Sequence, residues 1–183
     1  THMDPIDQIF ETFARRGAES YADEPVTQLE HALQCAALAE AAGSSPSLVA
    51  AALLHDLGHI MADSALPGSL DEDLHDHHEA RAYAWLREHF GAAVADPVRL
   101  HVAAKRYLCT TDPAYEGRLS PTSVKSFYDQ GGKMGPEELR QFEAEPQFEA
   151  ALRLRHWDDT AKQADWQVPG LSHYRELLVA LEK

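Results

Sequence analysis

The chain has 183 residues, 44% hydrophobic and 25% charged, the proportions of one soluble globular domain with a real core. Its formal net charge of −14 argues against general binding to nucleic acid or an anionic membrane, which need a basic surface, but leaves room for an anionic substrate where a few cations gather. Two cysteines, Cys35 and Cys109, lie outside any C-x-x-C pattern, so neither a disulfide framework nor a thiolate zinc site is expected, and both read as buried packing residues. No apolar run approaches the roughly 18 residues of a membrane span and no signal peptide is visible, so a cytoplasmic protein is expected. Thr1-His2-Met3 resembles an expression-tag remnant, and His2 is left out of the ligand count.

In chain order, Asp4 to Arg16 reads as a helix with Pro5 in its first turn, an apolar face of Ile6, Ile9, Phe10 and Phe13, and Gly17 as its stop. A loop carrying Tyr21 and Glu24 follows. Val26 to Ala42 is a second helix, with Leu29, Leu33, Ala36 and Ala37 as its buried stripe and His31 within it. Ser45 caps a third helix that starts at Pro46 and runs through Leu48, Val49, Ala52 and Leu53 into His55-Asp56. A polar loop rich in Asp71, Glu72, Asp73 and Asp76 leads to a fourth helix, roughly His77 to Phe90, ended by Gly91. Asp96-Pro97 is read as opening a fifth, Val98 to Leu108, with His101 and Lys105 one turn apart. Ser120-Pro121, Gly135-Pro136 and Pro146 announce three more, the last running through Trp157-Asp158-Asp159; a closing amphipathic helix covers Ser172 to Glu182. No strand alternation or repeat is present, so the prediction is an all-α single domain over residues 1–183.

Helix after helix offers a metal ligand: His31, His55-Asp56, His78, His101 and Asp158. The stretch Ala51-Ala-Leu-Leu-His55-Asp56-Leu-Gly58-His59 is the densest. Its apolar run buries an adjacent imidazole and carboxylate, and the carboxylate has a second oxygen for a second ion. Four imidazoles and two carboxylates can hold two first-row ions with Asp56 as the bridge, each keeping open positions for substrate. Lys105, one turn past His101, would point along the same face toward an anion at the metals.

This order of ligands resembles the HD-domain superfamily. The strings Gln28-Leu-Glu-His31, His55-Asp-Leu-Gly-His59, His78-Glu79, His101-Val-Ala-Ala-Lys105, Tyr128-Asp-Gln-Gly-Gly132, Trp157-Asp158 and Val168-Pro-Gly170 with His173-Tyr-Arg175 are more specific. They resemble the mixed-valent di-iron oxygenases of phosphonate catabolism, from about Tyr21 to the C-terminus. The acidic loop before His78 departs from the pattern in composition. The resemblance implies an all-α HD-domain bundle with a buried dinuclear site. Of two iron ions forming an Fe(II)/Fe(III) pair, one would be held by His31, His55, Asp56 and Asp158, the other by Asp56, His78 and His101. His77 rivals His78, and Asp159 rivals Asp158; the motif matches favour His78 and Asp158. Tyr21 and Glu24 correspond to a loop over the site, His59 to a neighbour of the ligands or a substrate contact, and Lys105, Ser123, Gln130 and Arg155 to phosphonate contacts.

The implied reaction is O2-dependent cleavage of a carbon–phosphorus bond in a small zwitterionic hydroxyphosphonate. The preferred substrate is (1R)-1-hydroxy-2-(trimethylammonio)ethylphosphonate, giving glycine betaine and phosphate; the alternative is the primary-amine analogue, giving glycine. A trimethylammonium group prefers an aromatic and acidic cage, with Tyr21, Tyr107, Phe127 and Tyr128 as candidate walls and the Asp71–Asp76 run adding negative field. The rivals are an HD-type metal phosphohydrolase acting on a phosphate ester, and a non-enzymatic HD module, which the filled ligand positions disfavour.

Overall fold

A computed structural model of the chain describes residues 3–61 and 74–183, with side chains in the 74–90 helix described from Ala80 onward. The acidic loop expectation at Asp71, Glu72 and Asp73 therefore lies outside the described residues, whereas Asp76, also expected in the loop, falls within the first turn of the Leu74–Phe90 helix. Helix α1 (Pro5–Arg16) is capped by Asp4, whose carboxylate accepts from the Ile6 amide at 2.8 Å, and it buries Ile6, Ile9 and Phe13. Helix α2 (Gln28–Ala41) opens on a capping box in which Thr27 and Glu30 satisfy each other's backbone amides. Every residue of α2 from His31 to Ala36 is buried, a wider face than the predicted stripe, because helices pack on several of its sides. Helix α3 (Pro46–Leu54) is apolar almost throughout and is buried on all faces from Leu48 onward. Full burial of each of its leucines is worth about 1.5–3 kcal/mol, so a charge at Leu54 would cost the fold heavily.

Helices α4 (Leu74–Phe90) and α5 (Ala92–Thr111) meet at Gly91, whose φ of +85° makes the reversal that a side chain would resist. The structure corrects one predicted boundary here. Helix α5 begins at Ala92, and Pro97 lies inside it and is buried. Proline forfeits only the amide bond to the carbonyl four residues back, and the helix on both sides keeps its packing against α3, α4 and α8. Helices α6 (Pro121–Asp129), α7 (Pro136–Glu143) and α8 (Phe148–Thr160) follow, then a 3-10 turn (Leu171–Tyr174) leading into α9 (Arg175–Leu181). The only pairing of extended backbone among the described residues is a single bridge between Ser20 and Thr27, which closes the loop before α2.

The main core joins α1, α2, α3 and α9 with parts of α4, α5 and α8; a smaller cluster of Leu100, Ala104, Met134, Phe142 and Ala151 joins α5, α7 and α8. Cys35 and Cys109 are both buried free thiols, as the sequence suggested. No helix among the described residues is long and apolar enough to cross a membrane.

Candidate metal centre

The end of α3, the first half of α2, the middle of α5 and the end of α8 converge on one point. Each delivers a polar side chain into an otherwise apolar interior. His31, His55, His101 and Asp158 are all 4% exposed or less. The three imidazoles are oriented alike: Nδ1 of His55 bonds the Ala52 carbonyl at 2.7 Å, Nδ1 of His101 the Val98 carbonyl at 2.6 Å, and Nδ1 of His31 the Ala161 carbonyl at 2.7 Å. A carbonyl can only accept, so Nδ1 carries the proton in each ring. In the neutral ring the Nε2 lone pair then faces inward.

Those inward atoms crowd together. Nε2 of His31 lies 3.2 Å from Nε2 of His55, 2.9 Å from Oδ1 of Asp158 and 3.4 Å from Oδ2 of Asp56. Nε2 of His55 lies 3.1 Å from Oδ2 of Asp56 and 3.4 Å from Oδ1 of Asp158. Four lone-pair donors this close repel unless a cation or protons sit among them. Donors bonded to one ion at about 2.1 Å are themselves about 3.0–3.4 Å apart, which is the spacing found here. Oδ2 of Asp56 is buried with no hydrogen-bond partner among the described residues, as suits an oxygen that ligates a metal ion. The residues fit a metal ion held by His31, His55, Asp56 and Asp158.

The other oxygen of Asp56 faces elsewhere: Oδ1 lies 3.9 Å from Nε2 of His101 and 3.7 Å from Nε2 of His59. The carboxylate thus stands between the first cluster and a second imidazole pair. The expected fourth histidine, His78, and its rival His77 lie among the side chains outside the described residues; α4, which carries them, packs against the Leu57–His59 turn. Cys35 Sγ lies 3.8 Å from His31 Nε2, so a thiol borders the cluster that the sequence reading had treated as packing alone.

Electrostatics agree with this arrangement. Burial resists ionisation of Asp56 and Asp158, but the neighbouring charges outweigh it and hold both carboxyls well below their ordinary range: His55 and His31 for Asp56, Arg155 and His55 for Asp158. Burial likewise opposes charging His31 and His55, yet Cys35, Asp56 and Asp158 push both imidazoles well above theirs. Asp158 and Asp159 separate cleanly. Asp158 faces the imidazoles, while Asp159 accepts from the Tyr115 hydroxyl and from Arg155, the latter at 2.7 Å. Arg155 also bonds Asp158 Oδ2, so its guanidinium braces the ligand carboxylate as well as bordering the pocket described next.

A pocket of about 320 Å³ opens onto this cluster, at the small end of the range for ligand sites. It is lined by Tyr21, Glu24, His59, Lys105, Ser123, Gln130 and Arg155, all singled out in the sequence, together with Asp56, His101 and Asp158. Tyr21 stacks on His31 with ring centroids 3.9 Å apart, and its hydroxyl donates to Asp158 Oδ1 at 3.3 Å. Burial, then Asp158 and Asp56, keep this phenol protonated by raising its pKa well above the usual value. Tyr21 and Glu24 are fixed in one turn by Tyr21 N–H to Val26 O and Glu24 N–H to Tyr21 O, both 3.0 Å, with Ala22 in the left-handed region at φ +49°. Lys105 is buried and donates to Ser126 Oγ at 2.7 Å and Ser123 O at 3.3 Å. Burial and the nearby Arg155 bring its pKa down to about 8.

The structure also corrects the proposed aromatic cage. Tyr107, Phe127 and Tyr128 do not line the pocket. Tyr107 packs on Phe142 and Phe148 and donates to Glu143; Phe127 is wholly buried in a separate cluster; Tyr128 is 61% exposed. Of the aromatic walls only Tyr21 remains. Six lining residues were missed, Ala22, Gln28, Val102, Thr122, Ser126 and Lys162, of which two bear on how far the sequence could be read. Gln28 stands one turn before His31 on the same face of α2, a spacing that the sequence displays. Lys162 lies four residues past Asp158, beyond the end of α8, where helical spacing no longer predicts direction.

The family model of the HD domain matches residues 29–126. Over 166 residues the chain is 40% identical to the [1-hydroxy-2-(trimethylamino)ethyl]phosphonate dioxygenase (glycine-betaine-forming) of Leisingera caerulea, covering 91% of this chain and 84% of that one. It is 41% identical over 174 residues to the hydroxymethylphosphonate dioxygenase of Gimesia maris, covering 92% and 84%. An uncharacterized protein of Acanthamoeba polyphaga mimivirus is 35% identical over 178 residues, covering 95% and 80%.

Proposed function

We propose that this chain, which belongs to the HD-domain family in its hydroxyphosphonate dioxygenase branch, oxidatively cleaves the carbon–phosphorus bond of a 1-hydroxy-2-(trimethylammonio)ethylphosphonate. The observation that carries the proposal is the juxtaposition of a His/Asp metal cluster with a small pocket whose lining adds cations, Lys105 and Arg155, and a carboxylate, Glu24. The substrate carries the complementary groups: a phosphonate, a hydroxyl-bearing carbon and a cation.

Two iron ions are proposed, one held by His31, His55, Asp56 and Asp158, the other by Asp56, His101 and His78. When bound they supply Lewis acidity toward the substrate oxygens and the redox chemistry that reduces O2. Protein groups do the rest. Lys105 and Ser123 receive the phosphonate, Lys105 as a charge-assisted donor. Gln130, whose side-chain oxygen is buried with no hydrogen-bond partner among the described residues, turns its amide to the same group. Arg155 borders the phosphonate end while holding Asp158 in place. Glu24 and the Tyr21 face take the trimethylammonium, which cannot donate an N–H bond and needs charge and a ring face. His59, beside Asp56 Oδ1, orients the hydroxyl-bearing carbon. Tyr21 keeps its proton on the phenolic oxygen and closes the approach to Asp158, so the loop acts as a lid that is displaced when substrate arrives. One hydroxyphosphonate and one O2 become one carboxylate, one hydrogen phosphate and one proton. Atoms and electrons balance with no further reductant.

The test is phosphate release by iron-loaded protein, with and without oxygen, from racemic 1-hydroxy-2-(trimethylammonio)ethylphosphonate and its primary-amine analogue. Oxygen-dependent release, fastest from the trimethylammonio compound, is expected. Faster release from the primary amine would reassign the substrate. Release from a phosphate ester without oxygen would make the protein a phosphohydrolase instead.

A further inference from the structure

Glu24, the pocket carboxylate outside the metal cluster, already faces a cation of the protein's own. Lys162 follows α8 and reaches back into the pocket, where its Nζ lies 4.0 Å from Oε2 of Glu24 and donates to Ser123 Oγ at 3.3 Å. The two side chains are nearly shielded from water, at 12% and 11% exposed. A shielded carboxylate beside a phosphonate dianion is unfavourable, and Glu24 without a partner would reject any substrate that brings no positive charge. An ammonium at this point removes that penalty.

We propose that Lys162 is a specificity-determining residue that stands in for the substrate's cation at Glu24, so that the pocket also accepts hydroxyphosphonates with no cationic end. The inference rests on the hydroxyphosphonate reading of the site. A trimethylammonium group displaces Lys162 from Glu24. A substrate without that group leaves the pair intact, and the pocket stays neutral at that end. Lys162 keeps its bond to Ser123 Oγ in both states. Breadth toward uncharged substrates is thus set by a residue that touches neither the metal cluster nor the reacting carbon.

The experiment compares kcat/KM for hydroxymethylphosphonate and for 1-hydroxy-2-(trimethylammonio)ethylphosphonate in the iron-loaded wild type, Lys162→Met and Lys162→Arg. Wild type is expected to turn over both. Lys162→Met is expected to lose about tenfold or more in kcat/KM on hydroxymethylphosphonate, mostly through KM, and less than about threefold on the trimethylammonio compound. Lys162→Arg keeps the charge and should retain the wild-type ratio. An equal loss on both substrates would make Lys162 a phosphonate clamp and overturn the proposal, as would no change on either, or a wild type that refuses hydroxymethylphosphonate. Failure of the wild type on both substrates under oxygen would instead remove the hydroxyphosphonate reading, and this role with it.

Discussion

Lys105 gives the account a pH dependence that can be worked out in advance. Its ammonium is buried against Ser123 and Ser126, and its pKa falls from 10.5 to about 8. Below that value the side chain is charged and can meet a phosphonate; above it the group is neutral and only donates weakly. The charged fraction falls from about 90% at pH 7 to about 9% at pH 9, so kcat/KM should drop about tenfold over that span. A bound dianion restores the proton, so kcat at saturation should stay nearly flat. Lys105→Met should abolish the alkaline limb and lower kcat/KM about 10- to 100-fold at pH 7, the worth of one charged hydrogen bond. Stability should move the other way. A shift from 10.5 to about 8 means that burial disfavours the charged lysine by about 3 kcal/mol. Between those two pH values the unfolded chain binds more protons than the folded one, so wild-type stability rises with pH there, and the Met variant lacks that rise. Steady-state kinetics from pH 6 to pH 10 and urea unfolding at the two ends provide the assay. An alkaline limb of unchanged midpoint in Lys105→Met would refute the reasoning, because the titrating group would then be another residue.

Asp158→Asn should reduce bound metal and abolish phosphate release, since it weakens a charged donor shared by two imidazoles; elemental analysis of the purified variant checks it. Arg155→Met leaves the buried Asp158 and the half-buried Asp159 without their guanidinium and should cost about 3–5 kcal/mol in denaturant unfolding of the metal-free protein. Metal loading should raise the unfolding midpoint, by about 2.7 kcal/mol of added stability when free metal is a hundredfold above its dissociation constant, and a chelator should reverse it. Tyr21→Phe removes the hydroxyl that contacts Asp158 and should increase oxygen consumed per phosphate released; an oxygen electrode run beside a phosphate assay decides it.

The residues legible in the sequence were those whose neighbours along the chain already fixed their direction. His55 and Asp56 follow an all-apolar helix, so burial of the pair was readable, and His101 and Lys105 share a face by helical spacing. Asp158 and Asp159 both offered a carboxylate; the motif picked the first, and packing explains why, since Tyr115 and Arg155 engage the second. Features that depend on contacts far apart in sequence were not legible. Pro97 looked like a helix start because local rules place proline there, whereas Gly91 is the real entry and packing carries the helix through. Tyr107, Phe127 and Tyr128 looked like cage walls only because they lie near site residues in sequence; each turns toward another partner. Lys162 lies past a helix end, where no periodicity gives a direction, and only the fold brings it to Glu24.

The most direct test of the account is the stoichiometry of oxygen uptake against phosphate release by the iron-loaded wild type on 1-hydroxy-2-(trimethylammonio)ethylphosphonate. The account predicts one O2 consumed for each phosphate formed, with no phosphate formed under anaerobic conditions. Phosphate released without oxygen uptake would contradict it, because the His/Asp cluster would then be activating water instead of oxygen.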